Sequence, residues 1–214
     1  KEYANYEDYK IDLKKKKNLH VKPLKHFADW LYSTRWCDVN GNILEGLSEE
    51  EAMRRKEKFA TEKWHHIDVW KMAAYYIYVM RFGAVDQVVK NSMLTSEGPF
   101  AYNINGNKSG YWDTTDVTSP DYGKYYKWYY INYDNDTIMG VRNDGRLVHN
   151  PYILRTTLGD DGKPVYAGYE STLWNNFDTD ENFQKIVRLT DQAISNIMTY
   201  DKTIEMFDVK QVGQ

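Results

Sequence analysis

The stretch SEEEAMRRKEKFATEKWHHIDVWKMAAYYIYVM, residues 48–80, decides how the fold is read. Ser48 followed three residues later by Glu51 is a capping box, in which the hydroxyl takes a free N–H of the first turn and the carboxylate reaches back. Glu51 to Lys63 is then rich in Ala, Met, Arg, Lys and Glu, which lose little on entering a helix. Past Trp64, the positions Ile67, Trp70, Ala73, Ala74, Ile77 and Met80 keep helical spacing and mark one buried face. Tyr75, Tyr76, Val79 and Phe82 make the other sides apolar as well, so the helix is expected to be covered on most sides. The reading is a predominantly helical run from Ser48 to Met80, with Gly83 as the break beyond it.

Working outward, Pro23 suits a first helical position, and Leu24, Phe27 and Leu31 supply one stripe behind it. Asp38 to Gly46 reads as a turn region with Asn40-Gly41 at its centre. Lys14 to Lys17 form a solvated run without period. Past Leu94 the helical period stops, and Gly98-Pro99, Asn105-Gly106 and Ser119-Pro120 punctuate a loop-rich stretch. KYYKWYYINY, residues 124–133, is then almost continuously aromatic and β-forming, with Tyr126, Trp128 and Tyr130 on one face. Loops at Asp134–Thr137 and Asn143-Asp144-Gly145 predict an antiparallel meander over Tyr125–Val148, and Asp160-Asp161-Gly162 a further hairpin. Helix is expected again near Asp178, with Glu181 completing a capping box and Phe183, Ile186, Val187, Ala193, Ile194, Ile197 and Met198 as its stripe. A short helix at Thr203–Phe207 closes the pattern. The class is α+β: a helical segment over 1–94, a loop-rich β-hairpin segment over 95–177, and C-terminal helices over 178–214, in one folded unit.

Composition narrows the function classes. A net charge of -3 gives no basic field for nucleic acid or an anionic membrane. The longest apolar run, Met72–Met80, falls well short of the roughly 20 residues that span a bilayer. Cys37 is the single cysteine, so it closes no intrachain bridge and reads as a buried structural thiol. The chain opens at Lys1 and stops just after a helical pattern, which reads as a piece of a longer polypeptide. Its 19 tyrosines and 7 tryptophans against 7 phenylalanines favour rings with a polar handle. Such rings suit protein interfaces and sugar-binding faces, and also a sheet packed on itself. The candidate contact residues are Tyr75, Tyr76 and Phe82 on the helix, and Tyr126, Trp128 and Tyr130 on the strand.

Few patterns carry chemistry. Trp64-His65-His66 matches a triplet of HNH-type, metal-dependent nucleases, in which one histidine activates water and the other helps hold the metal. Adjacent histidines diverge by about 100° on a helix, however. A helical stretch precedes the triplet where that architecture needs a hairpin, and the next histidine is His149. Asn132, Asp134 and Asp136 alternate like calcium-loop ligands, yet Thr137 and Asn143 stand where glycine and the bidentate glutamate belong. Turn chemistry accounts for them. No phosphate loop, dinucleotide fingerprint, nucleophile elbow or paired-cysteine zinc spacing is present. No catalytic residue, metal ligand or cofactor is assigned. A carbohydrate-binding face of Tyr126, Trp128 and Tyr130 is a further alternative.

Four segments carry a resemblance: Trp64 to Met72 (WHHIDVWKM), Tyr130 to Ile138 (YINYDNDTI), Gly140 to Gly145 (GVRNDG) and Ser171 to Asn176 (STLWNN). From about Trp64 to its end the chain resembles the virion tail proteins of crAss-like phages and related short-tailed phages of gut Bacteroidales. The resemblance implies a non-enzymatic structural component of a phage tail, located in the virion and built into rings. It also implies partners: copies of itself, sister virion tail proteins and DNA passing through a channel, with no membrane.

Overall fold

The computed structural model describes residues 22–88, 92–96, 119–133, 171–199 and 201–202. Its elements are α1 (Lys22–Ser33), α2 (Glu49–His66), α3 (Val69–Phe82), a 3-10 turn (Val85–Val88), β1 (Met93–Ser96), β2 (Trp128–Ile131), α4 (Thr172–Thr179) and α5 (Glu181–Ile197). The class is α+β with helix dominant, and the ladder is antiparallel, running from Met93 opposite Ile131 to Ser96 opposite Trp128.

Helix α2 starts as its cap predicts, with Ser48 Oγ accepting the Glu51 N–H at 3.2 Å. The box is only half made. The Glu51 carboxylate turns forward to Arg54 and Arg55, both at 2.6 Å, and these guanidinium groups hold it down to about 2. The expected single helix is in fact two. Ile67 and Asp68 are extended, and the Asp68 carboxylate accepts the Lys71 N–H at 3.1 Å, so it caps a new helix. The Asp68 N–H meanwhile donates to Trp128 O at 2.9 Å, tying the break to β2. An aspartate inside an apolar period competes for backbone N–H groups, and here that local bond wins over continuation. At the far end Gly83 adopts φ 54°, and its N–H and that of Ala84 both reach Val79 O, closing α3 as a left-handed cap.

Other boundaries shift for identifiable reasons. In α1 the buried stripe is Pro23, Phe27 and Trp30, whereas Leu24 is 47% exposed. The partner of β2 is β1, so the boundary drawn after residue 94 falls inside a strand. The later strands of the expected meander, the Asp160–Gly162 hairpin and the Thr203–Phe207 helix lie outside the described residues. Helix returns earlier than expected, at α4, where Ser171 caps the Trp174 N–H. Asp180, and not Asp178, then caps α5 by accepting the Phe183 N–H at 2.8 Å. Asp178 is occupied elsewhere, accepting from Tyr76 Oη at 2.8 Å.

One core joins these elements. Trp174 is fully enclosed, stacked on Tyr76 at 5.2 Å and edged by Phe177 at 6.0 Å. Phe177 stacks on Phe183 at 4.1 Å, which clamps α4 to α5. Phe27, Trp30, Phe59, Met72, Tyr130 and Ile186 extend the same cluster through α1, α2, α3, β2 and α5. Large aromatics dominate such a core because each removes roughly 150–250 Å² from water. Among the described residues no helix is long and apolar enough to cross a membrane.

Candidate functional site

The six aromatic candidates do not form one surface. Tyr75 and Tyr130 are core residues, only 6% and 8% exposed, with their rings stacked at 5.0 Å. The Tyr75 hydroxyl donates towards the Gln87 carbonyl and side chain at 3.0 and 3.1 Å, and burial pushes it well above the ordinary tyrosine range. Tyr76 is half-buried on Trp174, Phe82 half-buried against Tyr78 at 5.2 Å, and Trp128 half-buried against Phe27 at 5.5 Å. Tyr126 donates to Tyr122 Oη at 3.2 Å. β2 packs on α3, which puts Tyr130 in the core, while Tyr126 and Trp128 of the expected aromatic face stay half-buried. Among the described residues the exposed large rings are others: Tyr32 (70%), Tyr133 (57%), Trp70 (50%) and Trp64 (38%). Trp70 and Ala74 belonged to the predicted buried stripe and are exposed, whereas Ile67, Ala73 and Ile77 of that stripe are buried.

The two histidines end α2 on different sides. His66 is 7% exposed, stacks on Trp30 at 4.3 Å and meets Tyr125 at 6.1 Å. The Lys124 backbone bonds one ring nitrogen, while Nδ1 is buried without a partner. Burial, with His65 and Lys58 adding repulsion, drives His66 down to about 3, so the ring is neutral at pH 7. His65 is half-buried, edge-on to Tyr125 at 6.2 Å, and is lowered by burial and then by Lys127. Asp68, the nearby carboxylate, is spent on the α3 cap. Among the described residues no group of three or more His, Cys, Asp or Glu is placed to hold a metal ion.

A second cluster lies where α2 faces the α4–α5 joint. Lys63, with its side chain fully buried, sits 3.1 Å from Asp180 Oδ2 and donates to Ala60 O at 2.6 Å. A cleft of about 340 Å³ opens above this pair, lined by Lys56, Phe59, Asn176, Thr179 and Glu181 among others. Next to it Asn176 Nδ2 donates to Thr34 Oγ1 at 3.0 Å, and Asn175 Nδ2 to the Cys37 carbonyl at 3.0 Å. Cys37 itself is 2% exposed, in line with a structural thiol. Reading the sequence missed Lys63, Asp180, Asn175 and Asn176. The signal that could have found the last two is a pair of amides inside an otherwise apolar helix turn.

These polar groups therefore join elements: α2 to α5 through Lys63 and Asp180, and α4 to the turn after α1 through the two asparagines. A buried ion pair and buried amides bonded to backbone and hydroxyl oxygens make rigid joints, because each buried polar group is costly unless its partner is held in place. No protein-family model, no curated protein and no solved structure matches this chain.

Proposed function

We propose that the chain is a non-enzymatic structural segment of a phage virion, a tail component that works through protein–protein contacts with copies of itself and with sister tail proteins. One observation supports this above the rest: two of the segments that carry the resemblance serve as packing joints. In WHHIDVWKM, His66 stacks on Trp30, Ile67, Val69 and Met72 are 2% exposed or less, and Asp68 caps α3. In STLWNN, Ser171 caps α4, Leu173 and Trp174 are enclosed, and Asn175 and Asn176 bridge to Cys37 and Thr34. Likeness at these joints is likeness of architecture, and an architectural protein acts by presenting a surface. Tyr32, Trp70 and Tyr133 supply exposed rings of the kind that anchor interfaces.

Mass spectrometry of purified phage particles tests the reading. Peptides of this chain are expected in the tail fraction at a stoichiometry shared with other tail proteins. Their absence from particles, together with metal-dependent nicking of plasmid DNA by the purified chain that His65→Ala abolishes, would replace the proposal with the nuclease.

A further inference from the structure

The cleft above the Lys63–Asp180 pair holds polar groups that the joints do not use. Lys56, Phe59 and Ala60 form its α2 wall, and Asn176, Glu181 and Asn182 stand on the facing one. At about 340 Å³ it falls at the lower end of the roughly 300–1,000 Å³ typical of ligand pockets, a size for a small molecule. Asn176 decides what such a molecule must bring. The residue is 2% exposed, and its amide nitrogen donates to Thr34 O at 3.4 Å and to Thr34 Oγ1 at 3.0 Å. A backbone carbonyl only accepts, and the Thr34 hydroxyl spends its own proton on Leu31 O at 2.8 Å. The amide is therefore fixed with its nitrogen towards Thr34, which is fully buried behind the wall. Its Oδ1 is left on the cleft side, and among the described residues no group donates to it. An enclosed acceptor without a donor calls for an occupant that supplies one.

The charges around that oxygen narrow the chemistry. Asp180 is no free counter-charge, because Lys63 and the Phe183 N–H take its two oxygens. Glu181 lines the same wall, is exposed, and holds no ion pair or hydrogen bond through its carboxylate among the described residues. Across from it Lys56 meets no carboxylate either, its ammonium lying 5.2 Å over the Trp36 ring. Glu181 and Asn182 are also the first residues of α5, whose opening turn presents N–H groups and the positive end of the helix. One end of the cleft therefore suits a cation that donates, and the other an anion that accepts. A purely cationic ligand would meet Lys56 unopposed, and a purely anionic one would meet Glu181. A neutral polyol could reach Asn176 Oδ1 but would leave both charged side chains without a counter-charge. A zwitterion meets each with the right sign.

We propose that this cleft binds a free α-amino acid with an apolar side chain. Its ammonium donates to Asn176 Oδ1 and faces the Glu181 carboxylate, its carboxylate takes Lys56 and the first turn of α5, and its side chain lies against Phe59 and Ala60. Nuclear magnetic resonance of the whole chain, titrated with L-leucine, tests this. Millimolar L-leucine should give saturable shifts at the amides of Asn176, Glu181 and Asn182, while those of Trp70 and Tyr133 hold. L-leucinamide lacks the carboxylate and isocaproate lacks the ammonium, so each should bind about tenfold more weakly, the loss of one charge-assisted contact. D-glucose should not bind. Lys56→Gln should then close the gap between leucine and leucinamide, and Glu181→Gln the gap between leucine and isocaproate. Both replaced side chains reach the surface, and neither belongs to the packed core. No saturable shift with L-leucine would overturn the proposal and leave the cleft to water. Leucinamide, isocaproate or glucose binding as tightly as leucine would also overturn it, as would leucine binding that neither substitution alters. Should a variant fail to fold, the ligand series on the parent decides alone. The site is independent of the assembly reading and survives its failure.

Discussion

Replacing Asp180 with asparagine changes one charge and almost no volume, which makes Asp180→Asn the cleanest probe of how the α2–α5 joint is held. The cap survives, because an asparagine oxygen can accept the Phe183 N–H that Oδ1 accepts at 2.8 Å, and asparagine ranks with aspartate at that position. What disappears is the counter-charge of Lys63, whose side chain has no exposure and whose other oxygen partner is a neutral carbonyl. Stranding a buried charge by removing its partner costs about 3–5 kcal/mol. Lys63→Met should cost less, about 1–3 kcal/mol, because the remaining carboxylate keeps a backbone N–H and the positive end of α5. In the double variant neither charge is present and the volume is filled, so stability should return to within about 1 kcal/mol of the parent or exceed it. Urea unfolding at pH 7, followed by far-ultraviolet circular dichroism, gives all four corners of the cycle. Unchanged m-values would confirm that stability alone moved. Single variants that each cost under about 1 kcal/mol, or a double variant equal to their sum, would refute the sealed-pair argument and mean that water reaches Lys63.

Three further outcomes follow from other parts of the fold. Gly123→Ala puts a Cβ against Pro23 in a left-handed conformation and should cost about 2–4 kcal/mol, read as a fall in calorimetric Tm. Trp174→Ala empties the centre of the core and should cost about 3–5 kcal/mol, whereas Trp70→Ala, at a half-exposed ring, should change monomer stability by about 0.5 kcal/mol or less. Asn176→Ala removes the amide that donates to both Thr34 O and Thr34 Oγ1, leaving the hydroxyl its bond to Leu31 O, and should cost about 1–3 kcal/mol in urea.

Local sequence signals proved legible where one residue dominates its neighbourhood. The Ser48 cap, the Gly83 stop and the Asn40-Gly41 turn, where Asp38 gathers the Asn40 and Asn42 N–H groups, all stand where the residue chemistry puts them. Reading failed where two local signals competed. The apolar period runs straight through Ile67 and Asp68, and only the tertiary bond from Asp68 N–H to Trp128 O shows why the cap prevails there. Likewise Asp178 and Asp180 both precede an apolar stripe, and their roles separate only because Lys63 and Tyr76 each claim one. Strand β1 was illegible for a related reason: MLTS is four residues long, too short for a period of two to declare itself, and its pairing partner stands more than thirty residues away.

The aromatic enrichment was open to two meanings, and the fold divides it between them. Tyr75 and Tyr130 resemble interface residues by type, yet each can be buried because the Tyr75 hydroxyl finds Gln87 and the two rings stack. A polar handle therefore does not mark a ring as external; it marks a ring that needs a partner, inside or out. Periodicity could not sort one case from the other, since α3 carries rings on every side and the partners come from β2, α4 and the 3-10 turn. Among the described residues the rings left outside, Tyr32, Trp64, Trp70 and Tyr133, come from α1, the last turn of α2, the first turn of α3 and the residues after β2. If assembly is the function, the contact energy should follow exposure and not tyrosine content. Substituting Trp70 or Tyr133 should then weaken association of the intact protein in sedimentation without lowering its unfolding midpoint, while substituting Tyr75 should lower the midpoint first. The reverse ordering would mean that the buried cluster opens to form the interface, and that the surface rings are incidental to it.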